Sequence, residues 1–364
     1  MENKDINITN ESTSPDTDTT TIPHKRRKRY SGTHPKTFEE KYKEHDPEKY
    51  QDTIKKVIAK GSTPAGMHIS IMVNEILDIL DIKPGEKGLD ATLGYGGHTS
   101  AMLEKLNGKG HIYALDVDTI EIEKTKKRLA KKGFDENILT IIQSNFADID
   151  IVALDSGKFD FVLADLGVSS MQIDNPDRGF TYKYDGPLDL RLDPSRGTTA
   201  AERLLEVSID ELEGMFRENA DEPYAAQIAK EVAKHRYSNQ IVSTFEFREC
   251  IERALSFLPP KERTEAVKKS CQRCFQALRI DVNSEFEVLY DFLDKLPDVL
   301  NPGARVCILT FHSGEDRLVK KAFKRGLKEG IYSEISDTVI RPSTEECNTN
   351  PRARSTKLRY AIKK

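Results

Sequence analysis

The run Gly88-Leu89-Asp90-Ala91-Thr92-Leu93-Gly94-Tyr95-Gly96-Gly97-His98 constrains this chain more than any other stretch. A short apolar segment ends in Asp90, a glycine-rich turn follows, and Thr99-Ser100-Ala101-Met102-Leu103 opens a helical pattern. Strand, tight loop and helix N-terminus in that order bring backbone close to a bound nucleotide. Glycine serves where the loop takes positive φ or where a side chain would hold the ligand away. A second strand, His111 to Asp116, places a carboxylate twenty residues beyond Gly96. In nucleotide-binding α/β units an acid at that tip accepts hydrogen bonds from ribose hydroxyls.

The pattern continues with a Lys-rich helix over 119–132, a third strand Leu139 to Gln143 leading to Phe146, and a fourth, Phe159 to Ala164, ending at Asp165. Strands alternating with helices predict an α/β fold with a doubly wound, mostly parallel sheet. Ligands then bind at the carboxyl ends of the strands, so Gly94 to His98, Asp116, Phe146 and Asp165 should converge. Between Asp174 and Lys269 the alternation stops, and Thr199–Val207, Ser208–Glu218, Tyr224–Arg236 and Phe245–Phe257 read as amphipathic helices. Ser208 and Glu211 form a capping-box pattern. Phe275–Val282 returns to the main domain, and Arg305 to Phe311 is a fifth strand with His312 at its tip. The expected organisation is a polar, basic, disordered extension over 1–35 and an appended charged helical segment over 36–66. The sheet domain is then built from 67–173 and 270–364, with a helical substrate-recognition domain inserted over 174–269.

Composition narrows the classes. Among 364 residues no apolar run reaches 18, and residues 1–23 are polar, so neither a membrane span nor a signal peptide is expected. Five cysteines without a secreted framework fit a reducing, cytoplasmic setting. A net charge of −4 argues against wholesale nucleic-acid coating but leaves room for local basic surfaces. Two are visible: His24-Lys25-Arg26-Arg27-Lys28-Arg29-Tyr30, for which an RNA-contacting arm, a nuclear-targeting signal and a solvated tail all stay open, and Arg352 with Arg354 in a proline-fixed loop, read as phosphate contacts rather than a plain surface turn. Cys271 and Cys274 have C-x-x-C spacing, but no second pair or nearby His completes a metal set, so no metal is expected.

The cofactor follows by comparing fingerprints. A dinucleotide G-x-G-x-x-G fails at Thr99, which disfavours a nicotinamide-linked oxidoreductase, and no G-x-x-x-x-G-K-[ST] run exists. Asp90-x-x-x-Gly94-x-Gly96 instead resembles the first motif of class I (Rossmann-like) S-adenosylmethionine methyltransferases. From His68 to about Ile362 the chain resembles the ribosomal small-subunit RNA cytosine-N4 methyltransferase family (RsmH, or MraW). Six runs in order carry the likeness: Asp90–Thr99, Leu163–Asp174, Arg178–Pro194, Phe275–Glu285, Thr310–Lys320 and Asn350–Arg359.

The resemblance implies S-adenosylmethionine as cofactor, with Gly96, Gly97 and His98 lining the methionine and adenosine site. It implies Asp116 on the ribose, Phe146 against the adenine, and Asp165 and Gln172 near the cofactor beside the target base. It implies a decoding-region cytidine of small-subunit (16S) ribosomal RNA as substrate, presented in a largely assembled subunit, methylated at N4. Asp165 is the candidate catalytic residue, because a carboxylate at the fourth strand tip can accept hydrogen bonds from the N4 amine as positive charge develops. Amino methyltransferases often carry D/N-P-P-Y there; this chain has Asp165-Leu166-Gly167-Val168, which disfavours a DNA cytosine-N4 enzyme. Ser169 and Ser170 are weaker candidates, and His312 is assigned a structural or substrate-positioning role. A non-catalytic RNA-binding or assembly factor that keeps the fold, and a paralogue acting on another RNA cytidine, are the alternatives; monomer and homodimer both stay open. The chain departs from the family pattern at Tyr95, Val117, Lys269 to Gln272 and Gly314.

Overall fold

The computed structural model describes residues 70–236 and 240–364. The basic cluster at 24–30, the charged segment at 36–66 and the start of the sheet domain at 67 lie outside the described residues.

Helix α1 (Val73–Leu80) precedes β1 (Lys87–Asp90), α2 (Gly97–Leu106), β2 (His111–Asp116), α3 (Thr119–Lys131) and β3 (Leu139–Gln143). Helix α4 (Ile149–Ser156) then leads into β4 (Phe159–Asp165) and the short α5 (Ser170–Asp174). Five helices follow: α6 (Ala200–Glu206), α7 (Ile209–Ala220), α8 (Ala225–Arg236), α9 (Thr244–Ala254) and α10 (Pro260–Val282). The chain closes with α11 (Glu285–Lys295), β5 (Leu300–Thr310), α12 (Ser313–Lys328), β6 (Tyr332–Ile335), α13 (Thr344–Thr349) and β7 (Lys357–Lys363).

The seven strands form one sheet in the order β3-β2-β1-β4-β5-β7-β6. β1 through β5 pair in parallel, and β7 runs antiparallel between β5 and β6. The direction of winding reverses between β1 and β4, so a crevice opens at their carboxyl ends. Val, Ile, Leu and Phe on both faces make the central strands nearly continuous apolar runs, because each face is covered. On one face lie Ile149 and Val152 of α4, Phe292 of α11 and Phe323 of α12. On the other lie Leu80 of α1, Met102 and Leu103 of α2, and Leu129 of α3. Gly88 in the middle of β1 is required by this packing: a Cβ there would stand 2.0 Å from the Phe161 ring.

Helices α6 to α10 gather around their own apolar centre, with Leu204, Phe216, Ile228, Val232, Phe247, Ile251 and Leu278 buried in it. The boundaries of α6 to α9 fall within about three residues of the periodicity, whereas α10 begins fifteen residues before the expected Phe275. Two expectations need correction. Ser208 caps α7 through Glu211 N at 3.2 Å, but the Glu211 carboxylate pairs with Arg203 instead of closing the box. The expected boundary at 269/270 falls inside α10, which runs unbroken for 23 residues. Cys271, Cys274, Phe275 and Leu278, expected to straddle or follow that boundary, all pack in the helical centre, because the apolar stripe from Ala266 to Val282 runs across it. No helix among the described residues is long and apolar enough to cross a membrane.

Candidate active site

The loop after β1 is built by side chains reaching back to it. Asp90 is buried and accepts from Thr92 N at 3.1 Å and Thr99 Oγ1 at 2.6 Å, which fixes the start of α2. Burial outweighs these bonds and pushes its carboxyl above the usual carboxylate range. Thr92 Oγ1 in turn accepts from Asp165 N at 2.7 Å, joining the β1 loop to the tip of β4.

The glycines divide by reason. Gly96 (φ 77°) lies against Thr125, whose methyl a Cβ would meet at 2.7 Å, and Gly97 lies against Ser70, whose hydroxyl a Cβ would meet at 1.9 Å. Packing therefore requires both, independently of any ligand. Gly94 (φ 47°) has open space before it, with only the Thr92 carbonyl at 3.9 Å. It is the glycine that leaves room for a ligand. Arg128 lies 3.4 Å over the Tyr95 ring and donates to the Tyr95 carbonyl at 2.7 Å, holding the loop from outside.

Asp116 at the tip of β2 accepts from Gly94 N at 2.8 Å and Asp118 N at 2.9 Å, one bond to each oxygen. Burial pushes its carboxyl up to about 6, against the pull of both N–H groups. Each oxygen keeps acceptor capacity for a further donor, as ribose hydroxyls would supply. Phe146, after β3, packs edge-on against Phe292 with ring centroids 5.2 Å apart and leaves part of its surface to the cavity.

These tips line one cavity of about 630 Å³. Gly94 to His98, Asp116 and Phe146 form one part of its wall. Asp165 and Gly167 of the β4 loop, Tyr182, Gln272 and Gln276 of the helical unit, and His312 and Glu315 at the start of α12 form the rest. All the predicted site residues, Gly96, Gly97, His98, Asp116, Phe146, Asp165 and Gln172, reach it. Its volume, the open face of Gly94, the Asp116 carboxylate and the Phe146 ring fit S-adenosylmethionine.

Gln172 has other work. Its Oε1 accepts from Ser169 N at 2.8 Å in a capping box, and its Nε2 donates to Asp118 Oδ2 at 2.8 Å. The amide is thereby committed to fixing α5, which leaves a wall contact rather than a free polar group. Asp118 is fully buried; it caps α3 through Ile120 N and Glu121 N and pairs with Arg178 at 2.7 Å. Arg178 also donates to the carbonyls of Arg191 and Leu192, so this one ion pair fastens the segment leading into the helical unit. Sequence reasoning missed the pair because 60 residues separate its members, although Arg178 opens one of the six resemblance runs.

Across the cavity, His312 Nε2 lies 3.1 Å from Glu315 Oε1, and Glu315 also accepts from Phe311 N at 2.8 Å. Burial works against the Glu315 charge, but the His312 bond and charge and the Phe311 N–H hold its carboxyl below the usual range. The ligand atoms of Glu285, His312 and Glu315 lie within 4.8 Å of one another, a spacing open to a metal. Arg279 grips both Glu285 oxygens at 2.7 and 2.8 Å, however, so the protein supplies positive charge there itself. Cys271 and Cys274 are sealed among apolar side chains, and burial pushes the Cys271 thiol up to about 12. Arg352 pairs with Asp174 at 2.7 Å, and Arg354 stays exposed at the cavity rim.

The family model for the MraW methylase family matches residues 65–364. The chain is 67% identical over 341 residues to "Ribosomal RNA small subunit methyltransferase H 1" of Lachnoclostridium phytofermentans, covering 93% of each chain. It is 65% identical to the protein of the same name in Agathobacter rectalis, covering 93% of this chain and 98% of that one. The A. rectalis protein named "Ribosomal RNA small subunit methyltransferase H 2" is 37% identical over 310 residues, covering 80% and 96%.

Proposed function

The chain belongs to the MraW methylase family, and from that premise we propose that it methylates the exocyclic N4 of a cytidine in the decoding region of small-subunit ribosomal RNA. S-adenosylmethionine is the cofactor; when bound it supplies an electrophilic methyl group on a sulfonium.

The observation that carries the N4 reading is Asp165. It stands at the switch point, its backbone is fixed by Thr92, and its Oδ1 is buried with no hydrogen-bond partner among the described residues. A cytosine amine is a poor nucleophile, since its lone pair is shared with the ring. A fixed carboxylate that accepts from its N–H holds the lone pair in line, stabilises the developing positive charge and takes the released proton. Asp116 and the loop from Gly94 to His98 hold the ribose and methionine parts, Phe146 lies against the adenine, and Gln172 shapes the wall between cofactor and base. Tyr182, Gln272 and His312 border the part of the cavity left for the cytidine. The mature or nearly mature small subunit is the substrate form, and Arg354 at the rim suits an RNA phosphate.

Nucleoside mass spectrometry of small-subunit RNA tests this, after incubation of isolated subunits with the protein and labelled cofactor. N4-methylcytidine at one decoding-region site is expected. Bound cofactor with no new methyl group on naked RNA or subunits would make the chain a binding factor. A second reading rests on the two A. rectalis relatives, which differ in likeness to this chain by 65% against 37%. Two such copies in one organism suit a division of targets, and methylation mapped to a different cytidine would select that reading.

A further inference from the structure

We propose that the imidazole of His98 is a positioning residue for Asp165, orienting its carboxylate toward the reacting amine. The inference rests on the N4 reading above and goes beyond it, since His98 was placed only as part of the cofactor wall.

His98 is the second residue of α2, and its side chain is 9% exposed. Its Nε2 points to Asp165 Oδ2 at 3.5 Å. Among the described residues neither Nε2 nor Asp165 Oδ1 has a hydrogen-bond partner, although both atoms are shut off from solvent. Two buried polar atoms left unmatched destabilise a fold, so such a pair persists where something else completes it. Nothing in the fold demands an imidazole here. The start of α2 is already fixed by Asp90 through Thr99 Oγ1, and Thr92 fixes the Asp165 backbone. The remaining freedom is rotation of the Asp165 carboxylate, and His98 Nε2 is the neighbouring group that limits it. Asp90 is the other acid facing this imidazole, and it lies behind the cavity wall with both oxygens engaged.

The division of labour follows. His98 Nε2–H donates to the Asp165 carboxylate, which leaves the carboxylate's cavity-facing oxygen to accept from the N4 amine. The N4 lone pair forms the new N–C bond, the C–S bond breaks with its electron pair passing to sulfur, and the N4 proton passes to that carboxylate oxygen. His98 exchanges no proton. The 3.5 Å separation shortens when substrate fixes the carboxylate, as catalytic hydrogen bonds commonly do.

The test uses the full chain and small subunits, with His98→Ala, His98→Gln, Asp165→Asn and the His98→Ala/Asp165→Asn double variant. Calorimetric cofactor binding and kcat are measured for each. His98→Ala is expected to lower kcat about 10²-fold while cofactor Kd, which feels the loss of a wall contact, rises by less than about tenfold. His98→Gln, which keeps an N–H donor, should recover about tenfold of that loss. The double variant should be no slower than Asp165→Asn alone, because both changes disable one unit. Losses that multiply in the double variant would overturn the proposal, as would a loss of cofactor affinity equal to the loss in kcat. If His98→Ala fails to fold by circular dichroism, failure of His98→Gln to exceed Asp165→Asn in kcat overturns it equally. The two ideas fail separately: wild-type protein that makes no N4-methylcytidine sinks the N4 reading, whereas active wild-type with fully active His98→Ala sinks only the role of His98.

Discussion

The sheet and the helical unit handle buried polar groups in opposite ways. At the carboxyl ends of the strands the fold buries Asp90, Asp118 and Glu315 and half-buries Asp116 and Asp165, each next to an N–H, a hydroxyl or a cation. The centre of the helical unit is apolar, filled by Phe216, Phe247, Phe275 and the thiols of Cys250, Cys271 and Cys274. Its buried acid, Glu222, accepts from Ser270 Oγ at 2.9 Å, with Arg273 3.8 Å away. The difference teaches where chemistry can reside. Burying a carboxylate is expensive unless donors are arranged around it, and strand tips feeding helix N-termini supply such donors. Packed helix sides satisfy their own backbone and offer shape instead.

Substitutions can break that contrast. The largest effect should come from Asp165→Asn, which keeps the shape and removes the charge: kcat falls about 10³-fold, roughly 4 kcal/mol in barrier, while the melting temperature holds. A melting temperature lowered in proportion to the loss of rate would assign Asp165 to the framework. Phe247→Ala, in the helical centre, should show the reverse pattern. Denaturant unfolding should give a loss of about 3 kcal/mol, and cofactor affinity at low temperature should hardly change. Lost cofactor affinity there would mean that the helical unit shapes the cofactor end as well as the substrate end.

A smaller effect sharpens the electrostatic side. Free Asp116 titrates near 6, above its unfolded value of 3.8, so ionisation is disfavoured by the fold and stability from this group falls as pH rises from about 4 to about 6. Ribose hydroxyls donate to the charged form, so cofactor binding should relieve this cost and lower the carboxyl's pKa. Cofactor affinity should therefore weaken about tenfold as pH falls from 7 to 5, and Asp116→Asn should remove the dependence. A calorimetric titration at three pH values decides it; equal slopes for both proteins would separate Asp116 from the ribose. The smallest effect concerns the thiols. Burial pushes Cys250 up to about 11 and Cys271 up to about 12, so native protein should alkylate slowly at both and faster at the half-buried Cys347. Peptide mapping after brief iodoacetamide treatment checks this.

Much of the sheet was legible because strands β1 to β4 end in chemically distinctive residues at regular spacing. The helices of the insertion were legible from apolar periodicity. β6 and β7 were not: strands were read only as far as Phe311, and neither Tyr332–Ile335 nor Lys357–Lys363 was read as a strand. The alternation of β7 becomes meaningful only with β5 as partner, and Arg305 pairs with Ile362, 57 positions along the chain. The reasons for the glycines were half legible: positive φ and close approach were foreseen, but Thr125 and Ser70 as the approaching groups were not. Likewise Gln172 reaches the cavity as expected, yet its amide is spent on Ser169 and Asp118, a commitment no local pattern reveals.

The Asp118–Arg178 pair bears on how substrate gains access. Swinging the helical unit away from the sheet would pull Arg178 from a fully buried carboxylate and strand that charge, at a cost of several kcal/mol. The pair therefore resists opening of the cleft at this point of attachment. A target base stacked in folded RNA must rotate out of its helix to enter the cleft, and unstacking costs least where the RNA already holds that base loosely. Selection among the many nucleotides of a large RNA then begins in the RNA, in which bases are free to leave their neighbours, before any side chain of the protein reads an edge.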